Sequence, residues 1–233
     1  QGTPPVNSLP ARDLLEKISE VTHPLVAEQY RLLNEEVLPA LEKANISFVR
    51  RNEWNAAQKA WLRNMFYQEL LPVLTPMGLD PAHPFPRLLN KSLNFIVQLE
   101  GKDAFGRSVT HAVVPAPRSL PRVVKLPKSV ASTGDQFVFL SSIIHAFVGE
   151  LFPGMSVVGC YQFRVTRNSD LFVDTEETDD LLRVMQGELN QRRYGDAVRL
   201  EVASECPEEL RQYLLKQFEL EAVDLYAVNG PVN

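Results

Sequence analysis

Four histidines, two cysteines and a set of clustered cations are the residues with chemistry to offer. His23, His83, His111 and His145 could act as general acids or bases, phosphoacceptors or metal ligands. None opens an HxK motif, HExxH is absent, and no two histidines have metal-pair spacing. His83 lies in a proline-rich stretch beside Asp80, a setting for acid–base work or for loop bracing. His111 and His145 lie inside apolar segments, as core or edge histidines do. Cys160 and Cys206 are far apart and form no CxxC, so they read as small buried hydrophobes in a reduced setting. The sequence has no GxxxxGK[ST] loop, no GxGxxG and no GxSxG, which removes the phosphate cradle, the dinucleotide turn and the nucleophile elbow. Carboxylates gather in runs such as Asp174 to Asp180, the pattern of a solvated helix entrance.

Positive charge is the remaining chemical signal. The 233 residues carry a net charge of −5. From Arg87 to Gly134, eight Lys/Arg stand against two acids, a surplus of +6. From Asn168 onward, six stand against fifteen, a deficit of −9. The overall balance argues against a nucleic-acid coat or a membrane-surface protein. The basic stretch suits a polyanion, or else solubilises exposed strand edges. Arg164 and Thr166 alternate with Tyr161, Phe163 and Val165, so they project from the opposite sheet face, as does Arg199 on its own strand. Arg164 and Arg167 suit either a polyanion or internal ion pairs. Arg192 and Arg193 fall at a helix end, where cations also favour the dipole.

The elements that must position these residues follow from periodicity. At 45% hydrophobic and 23% charged, the composition is that of a globular protein: one large domain, or one domain with an appendage. No run of 18 apolar residues and no signal peptide is visible. The chain opens Gln1-Gly2-Thr3 without Met, as a trimmed or partial chain would. Helical spacing runs through Leu14, Ile18, Val21 and Leu25, then through Val26, Tyr30, Leu33, Val37 and Leu41. Pro24 and Pro39 predict kinks or interruptions there. The whole stretch should dock by its apolar stripe. Asn55 and Gln58 predict a capping box for a helix whose stripe is Ala57, Trp61, Met65 and Leu70. Residues 76 to 90 read as an ordered loop. Strands are predicted at 46–49, 93–99, 109–114, 122–126, 136–139, 161–165 and 198–202. Further helices are predicted over 141–151, over 181–189 with a cap near Thr178 or Asp179, and after Pro207. The fold class is α+β: a helical N-terminal arm, then a mixed or antiparallel-sheet domain with several helices.

Three stretches carry a family resemblance: FYQELLPVLTPMGLDPAHPFPRLLNKSLN over 66–94, FRVTRNSDLFV over 163–173 and QRRYGDAVRLEV over 191–202. In this order and spacing they resemble polyphosphate kinase of the first bacterial type. LVAEQYRLLNEEVLPALEKANI is similar to the last helices of that family's N-terminal domain. The resemblance implies the end of a helical N-terminal domain over 1–50 and an α+β head domain over 51–233. It also implies a parent that moves the terminal phosphate of ATP to polyphosphate through a phosphohistidine, with magnesium. The family places those catalytic groups in C-terminal domains, so no catalytic, ATP-binding or metal-binding residue is carried over. What remains for this region is homo-oligomer formation, contact with its own C-terminal catalytic domains and a share of the wall around the polymer. The polyphosphate-contact candidates are Arg87, Lys91, Arg164 and Arg167, with weak binding expected. Neither nucleic acid nor a membrane span is expected. The implied location is the cytoplasm, with peripheral membrane association open to the full-length parent.

Two other readings stand beside this one. The first is a stand-alone, non-catalytic dimerisation or polyanion-binding module. The second is an unrelated hydrolase or transferase built on His83 and Asp80.

Overall fold

The computed structural model describes residues 11–80, 84–102, 106, 109–168 and 195–232. Its centre is a six-stranded sheet ordered β2-β4-β3-β7-β8-β9. These strands are β2 (Met77–Gly78), β3 (Asn94–Gly101), β4 (His111–Pro115), β7 (Met155–Arg167), β8 (Ala197–Ala203) and β9 (Leu225–Val228). All neighbours are antiparallel except β8 and β9. A smaller sheet, ordered β1-β6-β5, holds β1 (Ile46–Phe48), β6 (Asp135–Phe139) and β5 (Val123–Lys125). The arm, both sheets and the interspersed helices make the α+β class expected from the sequence.

Alternation along the strands gives the large sheet two apolar faces. Phe95, Val97, Leu99, Val114, Tyr226 and Val228 join one core, which α3 (Ala56–Met65) and α4 (Leu140–Phe147) cover. Ile96, Val113, Phe163, Val165, Leu200 and Val202 join the other, covered by α5 (Glu208–Gln217) and by Leu88 of the proline-rich segment. A sheet buried on both faces explains why β3 is buried almost throughout.

The arm departs from expectation in an instructive way. Helix α1 (Ala11–Leu32) runs straight through Pro24. The carbonyl freed by the missing Pro24 donor is that of Glu20, which lies on the exposed side, where water can satisfy it. A π-helical turn over Leu33–Val37 then leads into α2 (Leu38–Lys43). Pro39 falls in the first turn of α2, where its missing N–H takes no bond from that helix. Only part of the predicted stripe is buried. Val26 and Tyr30 join the core, whereas Ile18, Val21, Leu25 and Val37 are exposed.

Helix α3 begins at the predicted box: Asn55 Oδ1 accepts from Gln58 N–H at 2.8 Å, and Gln58 Oε1 accepts from Asn55 N–H at 3.0 Å. Of the expected stripe, Met65 and Leu70 are buried, whereas Ala57 and Trp61 give way to their neighbours Gln58 and Leu62, and Phe66 joins the buried face. Gln58 can be buried because its amide donates to Gln136 Oε1 at 2.9 Å. The helix expected over 181–189, with its cap near Thr178, lies outside the described residues, as do His83, Arg192 and Arg193.

Candidate functional site

The four cation candidates fall on two sides of the large sheet. Phe163 and Val165 point into the core beneath α5, and Arg167 follows on that side. Arg164 projects from the other face, as the alternation predicted.

Arg167 is built into the fold. Its backbone N–H donates to Asn90 Oδ1 at 2.8 Å, Nε to Leu88 O at 3.1 Å and Nη1 to Gly195 O at 2.8 Å. The guanidinium also stands 5.8 Å from the Phe218 ring centroid. These bonds clamp the 88–92 turn onto the end of β7. The turn holds itself as well: Lys91 N–H reaches Val165 O at 2.8 Å, and Ser92 Oγ donates to Leu89 O at 2.8 Å. Lys91 sits at φ +55, in the left-handed region that most side chains avoid. The bonds on either side of it hold that geometry.

The consequence is a rigid turn that presents charge. Lys91 and Arg87 are both exposed. Arg87 and Arg167 share a cleft of about 310 Å³ with Asp196 and Glu219. On the other side of the turn, Arg118 donates to the Asn90 carbonyl. Arg122 stands near Arg118, and its Nη1 is buried with no hydrogen-bond partner among the described residues. Burial lowers the Arg122 pKa first, and the charge of Arg118 adds to that. Two guanidiniums that repel each other, one with an orphaned donor, form a place where an anion would relieve both costs. Nothing in the spacing of Arg118 and Arg122 marked them in the sequence. Their signal was only membership of the +6 stretch.

Arg164 is engaged internally. Its Nε donates to Glu201 Oε2 at 2.6 Å, and Arg199 Nη2 reaches Glu201 Oε1 at 2.6 Å. Glu201 is 2% exposed, so both cations neutralise a buried carboxylate beneath the arm. Arg199 also lies 4.2 Å from the Tyr226 ring centroid. The structure therefore brings Arg87, Lys91 and Arg167 to one turn and leaves Arg164 on the far face of the sheet.

No catalytic constellation accompanies this surface among the described residues. There, no group of three His, Cys, Asp or Glu side chains stands close enough to share a metal ion. His111 accepts or donates at 3.0 Å with Thr110 Oγ1 and stacks on Tyr213 at 5.7 Å. His23 stacks on Tyr226 at 3.9 Å. Both are structural contacts. No described helix is long and apolar enough to cross a membrane.

Comparison with known proteins places this geometry. A family model described as the polyphosphate kinase middle domain matches residues 57–233. The chain belongs to the polyphosphate kinase family. It is 59% identical over 219 residues to a polyphosphate kinase of Pseudomonas aeruginosa, covering 94% of this chain and 32% of that protein. It is 56% identical over 216 residues to the Neisseria meningitidis polyphosphate kinase, covering 93% and 32%. The chain thus spans about a third of the length of these curated relatives. The crystal structure of polyphosphate kinase from Porphyromonas gingivalis has the same fold, with a TM-score of 0.75 at 24% identity, over 95% of this chain and 31% of that one.

Proposed function

We propose that this chain is the head region of an enzyme that transfers the terminal phosphate of ATP to polyphosphate. On this reading it supplies a wall against the polymer and a surface for self-association, while ATP, magnesium and the phosphorylated histidine belong to the remaining two thirds of the polypeptide. The parent works in the cytoplasm, and the head docks against its own catalytic domains. The observation that carries the reading is the family match over 57–233, joined to the rigid turn that presents Arg87 and Lys91. Arg118 and Arg122 extend that surface, whereas Arg164 has a competing partner in Glu201.

The test is a titration of long-chain polyphosphate against the protein at two salt concentrations. Contacts from Lys and Arg release counterions, so affinity should fall steeply with salt. The Arg87→Ala, Lys91→Asn double variant should bind more weakly and with a shallower salt slope. Asn is chosen because it tolerates the left-handed backbone. Equal affinity in both proteins would refute the contact role. With radiolabelled ATP and magnesium, the chain should acquire no acid-labile label. Stoichiometric labelling would overturn the assignment of chemistry to other domains.

A further inference from the structure

A second pocket, of about 200 Å³, lies where the start of α4 meets the middle of β7. Phe95 and Cys160 form part of its wall. Three features of this pocket point to an anion. The first is the helix terminus. The N–H groups of Ser141 and Ser142, the second and third residues of α4, have no intrahelical acceptor, and no side chain caps them. The Leu140 N–H is already taken by Arg122 O at 2.9 Å. The second is Ser141 itself. It is only 9% exposed, lines the pocket and makes no side-chain hydrogen bond among the described residues. Its hydroxyl is therefore free to bond a ligand oxygen that enters the pocket. The third is Arg51. Its side chain lines the same pocket, is exposed and forms no ion pair or hydrogen bond among the described residues.

We propose that this pocket binds one phosphate group, held by the Ser141 and Ser142 N–H groups, the Ser141 hydroxyl and the Arg51 guanidinium. Anions are favoured at a helix N-terminus by its partial positive charge, and a guanidinium adds a charge-assisted, bidentate contact. The volume suits a single phosphate. Glu205 also lines the pocket, and its carboxylate already accepts from Ser204 Oγ at 3.2 Å. A carboxylate there repels a fully ionised anion but accepts a hydrogen bond from a protonated phosphate oxygen. The pocket should therefore prefer hydrogen phosphate to sulfate, which carries no proton at neutral pH. Arg51 and His145 also line an adjoining open trough of about 630 Å³ whose rim carries Lys59 and Arg63. The phosphate is thus either free inorganic phosphate or the end group of a chain that continues along this rim. The pocket shares no lining residue with the Arg87–Arg167 cleft.

The experiment is an amide and arginine-Nε NMR titration of the isotopically labelled protein with inorganic phosphate, tripolyphosphate and sulfate at fixed ionic strength. Phosphate should move the Ser141 and Ser142 amides and Arg51 Nε saturably, and sulfate should bind several-fold more weakly. Arg51→Ala, an exposed change whose fold is checked by its melting temperature, should lose roughly tenfold or more in affinity. Ser141→Ala should lose several-fold. Tighter binding of tripolyphosphate, with added shifts at Lys59 and Arg63, identifies a chain end. Equal or tighter binding of inorganic phosphate identifies the free ion. Shifts that stay linear, are equal for phosphate and sulfate, or persist in folded Arg51→Ala would overturn the proposal. Failure here leaves the Lys91 titration untouched.

Discussion

The ring of Tyr30 occupies the space that a side chain at Gly230 would need. A Cβ at Gly230 would come within 2.8 Å of Tyr30 Cδ1 and 2.9 Å of Cε1. The Tyr30 hydroxyl donates to Pro231 O at 3.0 Å, so the ring has little room to retreat. Gly230→Ala should loosen the arm from the sheet at a cost of about 1–3 kcal/mol, the usual range for overpacking. Hydrogen exchange checks this: amides around 26–33 should lose protection, while β3 and β7 keep theirs.

Glu201 should be among the costliest side chains to change. Neutralising it in Glu201→Gln leaves Arg164 and Arg199 facing each other beneath the arm. Breaking a buried pair of this kind costs about 3 kcal/mol or more. The two guanidiniums are 21% and 28% exposed, so water recovers part of the loss. Urea unfolding should show a clearly lowered midpoint with an unchanged slope. Wild-type stability in this variant would mean that the triad contributes nothing net.

The Asn55 cap offers a smaller and cleaner measurement. Asn55→Ala removes the acceptor for the Gln58 N–H and should cost about 1 kcal/mol. Asn55→Gly should cost only a few tenths of that scale, because the cap water-exposes readily. Thermal melts of the two variants should keep this order.

His111 gives stability a pH dependence. Burial lowers its pKa below the usual 6.5. The unfolded chain therefore takes up the proton first as pH falls. Its contribution is fully present above about 6.5 and is lost as pH drops through the lower folded value. The wild type should lose more stability between pH 7.5 and pH 5 than His111→Gln does. Parallel pH profiles would show that His111 is not the group responsible.

Neither cysteine should react in the folded state. Burial pushes both thiols up to about 12, and both are nearly inaccessible. A thiol reagent at pH 8 should label none in buffer and two in denaturant.

The fold was legible where pattern and burial agree. The Asn55–Gln58 box, the β3–β4 pair and the Ser141–Leu151 helical region are local signals, and each stands where the sequence put it. Residues such as β9 were not legible, because Leu225–Val228 is a strand only through parallel pairing with β8, which no local pattern encodes. The exposed stripe of Ile18, Val21 and Leu25 has helical spacing without a described partner, so periodicity located the helix but not its contact. Gln58 reads as surface until Gln136 is placed beside it. For the site, alternation put Arg164 on its proper face but could not reveal Glu201 as its partner. Arg51 and Ser141 are ninety residues apart and came together only through tertiary packing.

The arm's partners lie at the opposite end of the chain: Thr22 bonds Tyr226, Asn34 bonds Asn229, and Tyr30 bonds Pro231. Contacts of such sequence separation carry the full loop-closure cost and tend to form late. On a ribosome the arm emerges before its docking strand and meets it only after some 190 further residues. At ordinary elongation rates that delay is on the order of 10–40 s. During it, Val26 and Tyr30 remain uncovered. The helix that packs against the last strand is thus the part of this region most available to a chaperone, or to another nascent chain, while the protein is being made.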